Sequence, residues 1–94
     1  MFALHVNLKA RSDSSRTLEN TYREIFRPAI SSQPGLDHVL LLQSGTDQNG
    51  YRLVIAFQDE PSQKRWVATK LHQEVWPKME ENCSSYKVEI FQAV

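Results

Sequence analysis

The sequence predicts an α+β fold in which a four-stranded antiparallel sheet carries two helices on one face. The 94 residues are enough for a single domain, residues 1–94, and no more. Hydrophobic patterns of period two and period 3.6 follow one another in the order strand, helix, strand, strand, helix, strand. A short polar segment ending in Asn-Gly joins the two middle strands, as in a hairpin. This order is that of the ferredoxin-like βαββαβ arrangement.

The first strand and the first helix occupy the first third of the chain. Phe2 to Lys9 alternates between apolar and mixed positions, which is typical of a strand with one apolar face. Asn7 lies on the mixed face. Apolar residues from Leu18 to Ile30 then recur on one side of a helix. Pro28 lies inside this pattern and predicts a kink or a loosening near Glu24 to Arg27.

The other three strands are also readable from the pattern. Leu36 to Ser44 contains the apolar run Val39–Leu42, which predicts a strand that is buried on both faces. Tyr51 to Gln58 alternates and forms the third strand. Ser85 to Val94 alternates in the same way and forms the last strand.

The second helix carries both tryptophans of the chain. Asp59 is expected to cap its first turn. An apolar stripe at four-residue steps is expected to face the core, and it consists of Val67, Leu71, Val75 and Met79. Trp66 points away from the centre of this stripe on an ideal helical wheel. Pro77 disfavours helical geometry in the residue before it, so we expect a break or kink at Trp76-Pro77.

Composition excludes several functional classes. Eleven basic and eleven acidic residues give zero net charge, which argues against a nucleic-acid surface. Cys83 is the single cysteine, so neither an internal disulfide nor a cysteine pair for zinc is available. His5, His38 and His72 lack the spacing of a ligand pair, and no metal site is expected. No secretory signal or membrane-spanning segment is apparent, and we expect a cytoplasmic protein.

The predicted architecture leaves one sheet face without helices. Apolar residues occur on that face in all four strands, and soluble monomers rarely expose such a patch. We therefore expect a twofold homodimer in which two of these faces meet.

The element order, the chain length and the segment Phe57–Glu60, followed by Trp66 and His72, resemble the antibiotic-biosynthesis-monooxygenase-like family of dimeric α/β barrels. The resemblance covers nearly the whole chain. It implies a homodimer whose sheets pack face to face, with a small pocket in each subunit between sheet and helices. The family includes cofactor-independent oxygenases that act on polycyclic phenols, heme-degrading enzymes, and members with no known activity.

The two enzymatic branches of this family differ in the residues they require. In the heme-degrading branch, the site combines an asparagine on the first strand, a tryptophan in the second helix and a histidine about three turns later. Asn7 and Trp66 match the first two, but Trp76-Pro77 stands where the histidine is expected. In the phenol-oxygenase branch an asparagine and a tryptophan bind substrate oxygen atoms, so the resemblance favours that branch.

Three residues are therefore the candidate catalytic set. The amide of Asn7 can hydrogen-bond a substrate carbonyl. Trp66 can stack on a planar substrate, and His72 can act as a base near neutral pH. Each also has an ordinary structural interpretation: an interface asparagine, a packed helix tryptophan and a partly exposed histidine.

Two functions follow from this set. The predicted function is a cofactor-independent monooxygenase-like activity on a small planar aromatic or quinone-type substrate, with neither a cofactor nor a metal. The alternative is a non-catalytic dimeric module that binds a small aromatic ligand or fills its pocket with its own side chains.

Overall fold

The computed structural model describes all 94 residues and has the predicted order of strands and helices. All four strands form one antiparallel sheet in the order β2-β3-β1-β4. The predicted ferredoxin-like α+β arrangement is therefore confirmed. The strands are β1 (Phe2–Ala10), β2 (Leu36–Gln43), β3 (Gly50–Phe57) and β4 (Cys83–Gln92).

The first helical segment is continuous but not uniform. It consists of α1 (Ser15–Thr21), a π-helical turn (Tyr22–Phe26) and α2 (Arg27–Ser31). Pro28 lies in the first turn of α2 and has no N–H for the carbonyl four residues earlier. A π turn bonds backbone groups five residues apart, so it accommodates this missing donor. The loosening predicted before Pro28 is confirmed.

The second helical segment consists of two helices, α3 (Glu60–Val67) and α4 (Lys70–Glu80). Asp59 caps α3 as predicted, because its Oδ1 accepts a hydrogen bond from the backbone N–H of Ser62 at 2.9 Å. Thr69 caps α4 in the same way, since its Oγ1 accepts from the N–H of His72 at 3.0 Å. A second cap in mid-segment starts a new helix.

Pro77 lies within α4 and does not end it, so the predicted break at Trp76-Pro77 is wrong. Proline removes the backbone bond to the carbonyl of Gln73. Both Gln73 and Pro77 are exposed, so this carbonyl lies on the water side of the helix. The helix therefore tolerates the proline.

The core lies between the helices and one face of the sheet. Alternate residues of β1 and β3 point into it in register, with Val6 opposite Leu53 and Leu8 opposite Tyr51. The helices cover these strands with fully buried side chains: Leu18, Phe26, Ile30 and Met79.

The opposite side of the sheet, which we call the uncovered face, carries no helix. Leu40 and Leu42 of β2 are each 48% exposed there, and Phe91 of β4 is 46% exposed. Apolar side chains occur on this face in all four strands, as predicted, because β1 contributes Ala3 and β3 contributes Val54 and Ala56. The largest exposed ones lie in the edge strands, and polar side chains such as Asn7 and Arg52 lie in the central strands.

Two further features complete the fold. Cys83 begins β4 beneath α4, and its buried thiol lies 3.6 Å from the carbonyl oxygen of Met79. Burial raises the pKa of this thiol. The longest helix, α4, has 11 residues, and none of the helices has the length and hydrophobicity that a membrane span requires.

Candidate functional site

A cavity of about 200 Å³ lies between the sheet and the helices, bounded by β1, β3, β4, α3 and α4. Its walls are almost entirely hydrophobic, and no charged side chain lines it. Such a concave apolar space with few polar groups is the usual form of a small-molecule site. Five aromatic side chains form much of the wall: Phe26, Phe57, Trp66, Trp76 and Tyr86.

The break between α3 and α4 places two predicted site residues against this cavity. Trp66 lies in the last turn of α3 and is only 2% exposed, whereas the helical wheel placed it away from the centre of the apolar stripe. Val67, expected on the buried stripe, is 41% exposed. Both corrections have one cause: a wheel assumes one continuous helix, and α3 ends at Val67. His72 lies in the first turn of α4.

The rings of Trp66 and His72 are in edge contact. Their centroids are 5.0 Å apart and their planes are perpendicular. Phe26 packs against Trp66 at 6.2 Å and against Trp76 at 6.3 Å, again edge to face. This geometry is the preferred one for aromatic pairs.

Three residues that line the cavity have polar side-chain groups without a partner in the chain. No intramolecular hydrogen bond engages the indole N–H of Trp66, the ring of His72 or the amide of Gln63. Every fully buried side-chain nitrogen or oxygen of the protein has a partner, so these atoms retain access to the cavity or to solvent. They are therefore free to bind a ligand.

Burial lowers the pKa of His72 below the ordinary histidine value of 6.5. The ring is therefore neutral at pH 7 and has an unprotonated nitrogen. A neutral imidazole in an apolar cavity can accept a proton from a bound ligand.

Asn7 does not share this cavity. It lies on the uncovered face, between Val6 and Leu8, whose side chains point to the core. Its Nδ2 donates to Oε1 of Glu89 at 2.6 Å, and its Oδ1 accepts from Nε of Arg52 at 2.9 Å. The structure thus brings Trp66 and His72 together and keeps Asn7 on the other side of the sheet. A catalytic role for Asn7 stays a prediction.

A wider depression of about 720 Å³ lies beside Asn7 on the uncovered face. It is open to solvent and is lined mainly by polar side chains, including an ion pair between Lys9 and Asp47. We assign the candidate site to the smaller cavity because its wall is apolar and aromatic, which suits an aromatic ligand.

Sequence reasoning missed Gln63 and Tyr86 as cavity residues. Gln63 precedes Trp66 by three positions, which places both side chains on one side of α3. Tyr86 belongs to the alternating pattern of β4, on the same side of the sheet as Val6. Helical spacing from Trp66 could have identified Gln63, but Tyr86 needed the strand order.

The three histidines lie in different places. His72 faces the cavity, His5 packs against Phe91 on the uncovered face, and His38 contacts Asp37 in β2. No group of three histidine, cysteine, aspartate or glutamate side chains is arranged to hold a metal ion.

Comparison with models of known protein families shows which family the chain belongs to. Residues 1–77 match the family model described as antibiotic biosynthesis monooxygenase. The chain belongs to this family. The matched region runs from β1 to Pro77 and includes both Trp66 and His72. No match was found among curated proteins.

Solved structures of the antibiotic biosynthesis monooxygenase type share this fold. A mutant form of SnoaB, a cofactor-independent oxygenase from Streptomyces nogalater, has a TM-score of 0.88 at 14% identity, over 98% of this chain and 91% of that chain. A candidate antibiotic biosynthesis monooxygenase from Nitrosomonas europaea has a TM-score of 0.86 at 17% identity, over 100% of this chain and 99% of that chain. A conserved protein from Methanosarcina mazei has a TM-score of 0.86 at 11% identity, over 97% of this chain and 90% of that chain.

Proposed function

We propose that this protein is a cofactor-independent monooxygenase that acts on a small planar aromatic compound carrying oxygen, such as a phenol or quinol. The supporting observation is a cavity walled by aromatic rings, where a neutral His72 lies in edge contact with the ring of Trp66. Membership of the antibiotic biosynthesis monooxygenase family supports the same class of reaction, as does the fold shared with SnoaB.

His72 is the base in this proposal. Its unprotonated nitrogen removes a proton from the substrate and leaves an anion delocalised over the aromatic system. The anion then reacts with O2, and the substrate is the only reductant. The keto tautomer of the phenol carries a ring methylene group, and this group and one O2 molecule give a ring carbonyl group and one water molecule. One oxygen atom enters the product and the other leaves as water. The N–H of Trp66 donates to a substrate oxygen and stabilises its negative charge.

The size of the cavity narrows the substrate class. An engineered apolar cavity of about 150 Å³ holds benzene, whereas sites for drug-sized ligands occupy about 300–1,000 Å³. At about 200 Å³, this cavity suits one substituted ring, or at most two fused rings. We therefore propose a smaller substrate than the polycyclic phenols of the wider family.

Oxygen uptake tests the proposal directly. Purified protein without added cofactor is incubated with a panel of hydroquinones, naphthols and anthrone, and oxygen consumption is compared with the uncatalysed rate. We expect uptake with the one- and two-ring compounds. His72→Gln should lower this rate about 100-fold or more, which is typical for loss of a general base. His38→Gln is the matched control and should keep the wild-type rate, because His38 is exposed and lies outside the cavity.

One observation favours the alternative of a binding module without turnover. The ring of His72 has no hydrogen-bonded partner that would orient it, whereas catalytic bases are commonly oriented by a third group. Aromatic ligands that bind the cavity without any oxygen uptake across the panel would favour this module and contradict the monooxygenase.

We also propose that the protein is a homodimer formed through the uncovered face. Leu40, Leu42 and Phe91 are exposed there. Soluble monomers rarely leave a large apolar patch in water. Arg52 and Glu89 lie on this face and have opposite charges, so two copies related by a twofold axis can pair them reciprocally.

A further inference from the structure

The junction of α3 and α4 contains a hydroxyl group that is bonded to both residues of the candidate site. Oγ1 of Thr69 donates to the carbonyl oxygen of Trp66 at 2.7 Å. The same atom accepts from the backbone N–H of His72 at 3.0 Å. One side-chain atom thus connects the last turn of α3 to the first turn of α4.

Few other polar contacts can connect Trp66 to His72 across the junction of α3 and α4. The backbone N–H of Thr69 also bonds the carbonyl of Trp66, at 3.0 Å, but any residue other than proline would supply that bond. The connection from Trp66 to His72 through one side chain requires a hydroxyl at position 69. A hydroxyl can donate and accept at once, which most other small side chains cannot do.

The ring of His72 depends on this backbone connection for its position. No hydrogen bond holds the imidazole itself, and its nearest aromatic neighbour is Trp66, at 5.0 Å. The place of the ring is therefore set by where α4 begins and by packing against Trp66. Thr69 is bonded at both points, because its hydroxyl accepts from the N–H of His72 where α4 begins and donates to the carbonyl of Trp66 in the last turn of α3.

We propose that Thr69 is a positioning residue, whose hydroxyl holds Trp66 and His72 in the arrangement that the site needs. This proposal depends on the proposed function in one respect, because it takes Trp66 and His72 as the residues of the site. Misplacing a catalytic group by about 1 Å can cost about 100-fold in rate, so a small shift at this junction matters.

A plain capping role would have a different signature. Loss of an N-cap lowers stability without a specific effect on ring placement. Asp59 provides the matched control, because it caps α3 at the far end of that helix and contacts neither Trp66 nor His72. Asp59→Ala should lower the melting temperature and leave the site unchanged.

The experiment compares Thr69→Ala and Thr69→Ser with the wild type and with Asp59→Ala. The pKa of His72 is followed by NMR titration, with His72→Gln used to assign its ring signals. In Thr69→Ala we expect the ring to leave its buried place beside Trp66, so its pKa should rise toward the ordinary value. Serine keeps the hydroxyl and should restore the wild-type pKa.

The kinetic arm uses the best substrate of the oxygen-uptake panel. We expect Thr69→Ala to lower kcat by about 10- to 100-fold with little change in KM, because positioning rather than substrate binding is lost. Should Thr69→Ala fail to fold, Thr69→Val replaces it, since valine fills the same volume without the hydroxyl. Thr69→Ser should retain the wild-type kcat.

Two results of the titration would overturn the inference: a folded Thr69→Ala or Thr69→Val protein with the wild-type pKa at His72, or a serine variant that fails to restore it. The titration requires no turnover, so it remains decisive for Thr69 if the wild type consumes no oxygen. Conversely, normal turnover in Thr69→Ala would reject the positioning role and leave the proposed function standing.

Discussion

The imidazole of His72 differs from that of an exposed histidine because no charged side chain lines its cavity. Burial alone lowers its pKa. Opposite charges stabilise a protonated histidine and raise its pKa, so their absence keeps this ring neutral. The same residue therefore links the chemistry of the site to the pH dependence of folding.

Stability should fall as His72 becomes protonated. The unfolded chain binds the proton with the ordinary pKa of about 6.5, and the folded chain only at lower pH. The contribution of neutral His72 is therefore complete above that value and is lost as the pH falls through it. We expect the free energy of unfolding to drop between pH 7 and pH 5 less steeply in His72→Gln than in the wild type. Equal slopes in urea titrations would contradict this.

Asn7 allows a test that separates a structural from a catalytic role. Asn7→Ala removes two hydrogen bonds, to Arg52 and Glu89, and should lower the free energy of unfolding by about 1–3 kcal/mol. Because Asn7 lies outside the cavity, we expect oxygen uptake to stay near the wild-type rate. Asn20→Ala, at an exposed position in α1, is the control for stability. A large loss of turnover in stable Asn7→Ala would instead support the predicted catalytic role.

Asn7, Trp66 and His72 show how much of the candidate site could be predicted from the sequence. The alternation in β1 already put Asn7 on the face opposite Val6, and the structure agrees. The family resemblance identified Trp66 and His72, which do share a cavity. The burial of Trp66 could not be predicted, because it depends on where one helix ends and the next begins.

At the scale of elements, β1, β3 and β4 followed the hydrophobic alternation. The apolar run of β2 predicted burial on both faces, which is wrong, because β2 is an edge strand in which Leu40 and Leu42 are exposed. The helix break did not follow any apolar pattern. The stripe from Val67 to Met79 continues across the junction as if one helix were present. The break is set by polar groups, namely the hydroxyl of Thr69 and the N–H of His72. Hydrophobic periodicity does not indicate such polar contacts. Threonine is nevertheless a recognised capping residue.

The proline in α4 should weaken that helix. Pro77→Ala restores a backbone donor, which removes a cost of about 3 kcal/mol, while the more flexible unfolded chain offsets up to about 1 kcal/mol. We therefore expect a net gain of about 2–3 kcal/mol in the free energy of unfolding measured with urea. Pro61→Ala is the matched control in the first turn of α3, where no donor is missing, and it should bring no gain. Equal effects of the two substitutions would contradict this account.

At the scale of the whole molecule, the sheet divides the protein into two unlike sides. One side holds the helices and the cavity, and the other is the uncovered face with its apolar edges and polar centre. The order of elements was enough to predict this division. The polar contacts of Asn7 at the centre needed the register of β1 against β3 and β4.

The uncovered face predicts the oligomeric state. Light scattering of the wild type at micromolar concentration should give the mass of two chains. Leu40→Arg puts a charge in the centre of an apolar edge and should give a folded monomer, because burying an unpaired charge is costly. Ala68→Arg, at an exposed position between α3 and α4, should remain dimeric. A monomeric wild type would refute the interface.

The chain has two tryptophans, and both belong to the cavity wall. Intrinsic fluorescence excited at the indole band therefore originates wholly from the place where a ligand would bind. Quenching or a spectral shift can report the arrival of an aromatic compound without dye or label. The two tryptophans therefore serve as an intrinsic fluorescent probe, and a library of candidate substrates can be screened with it before any reaction is known.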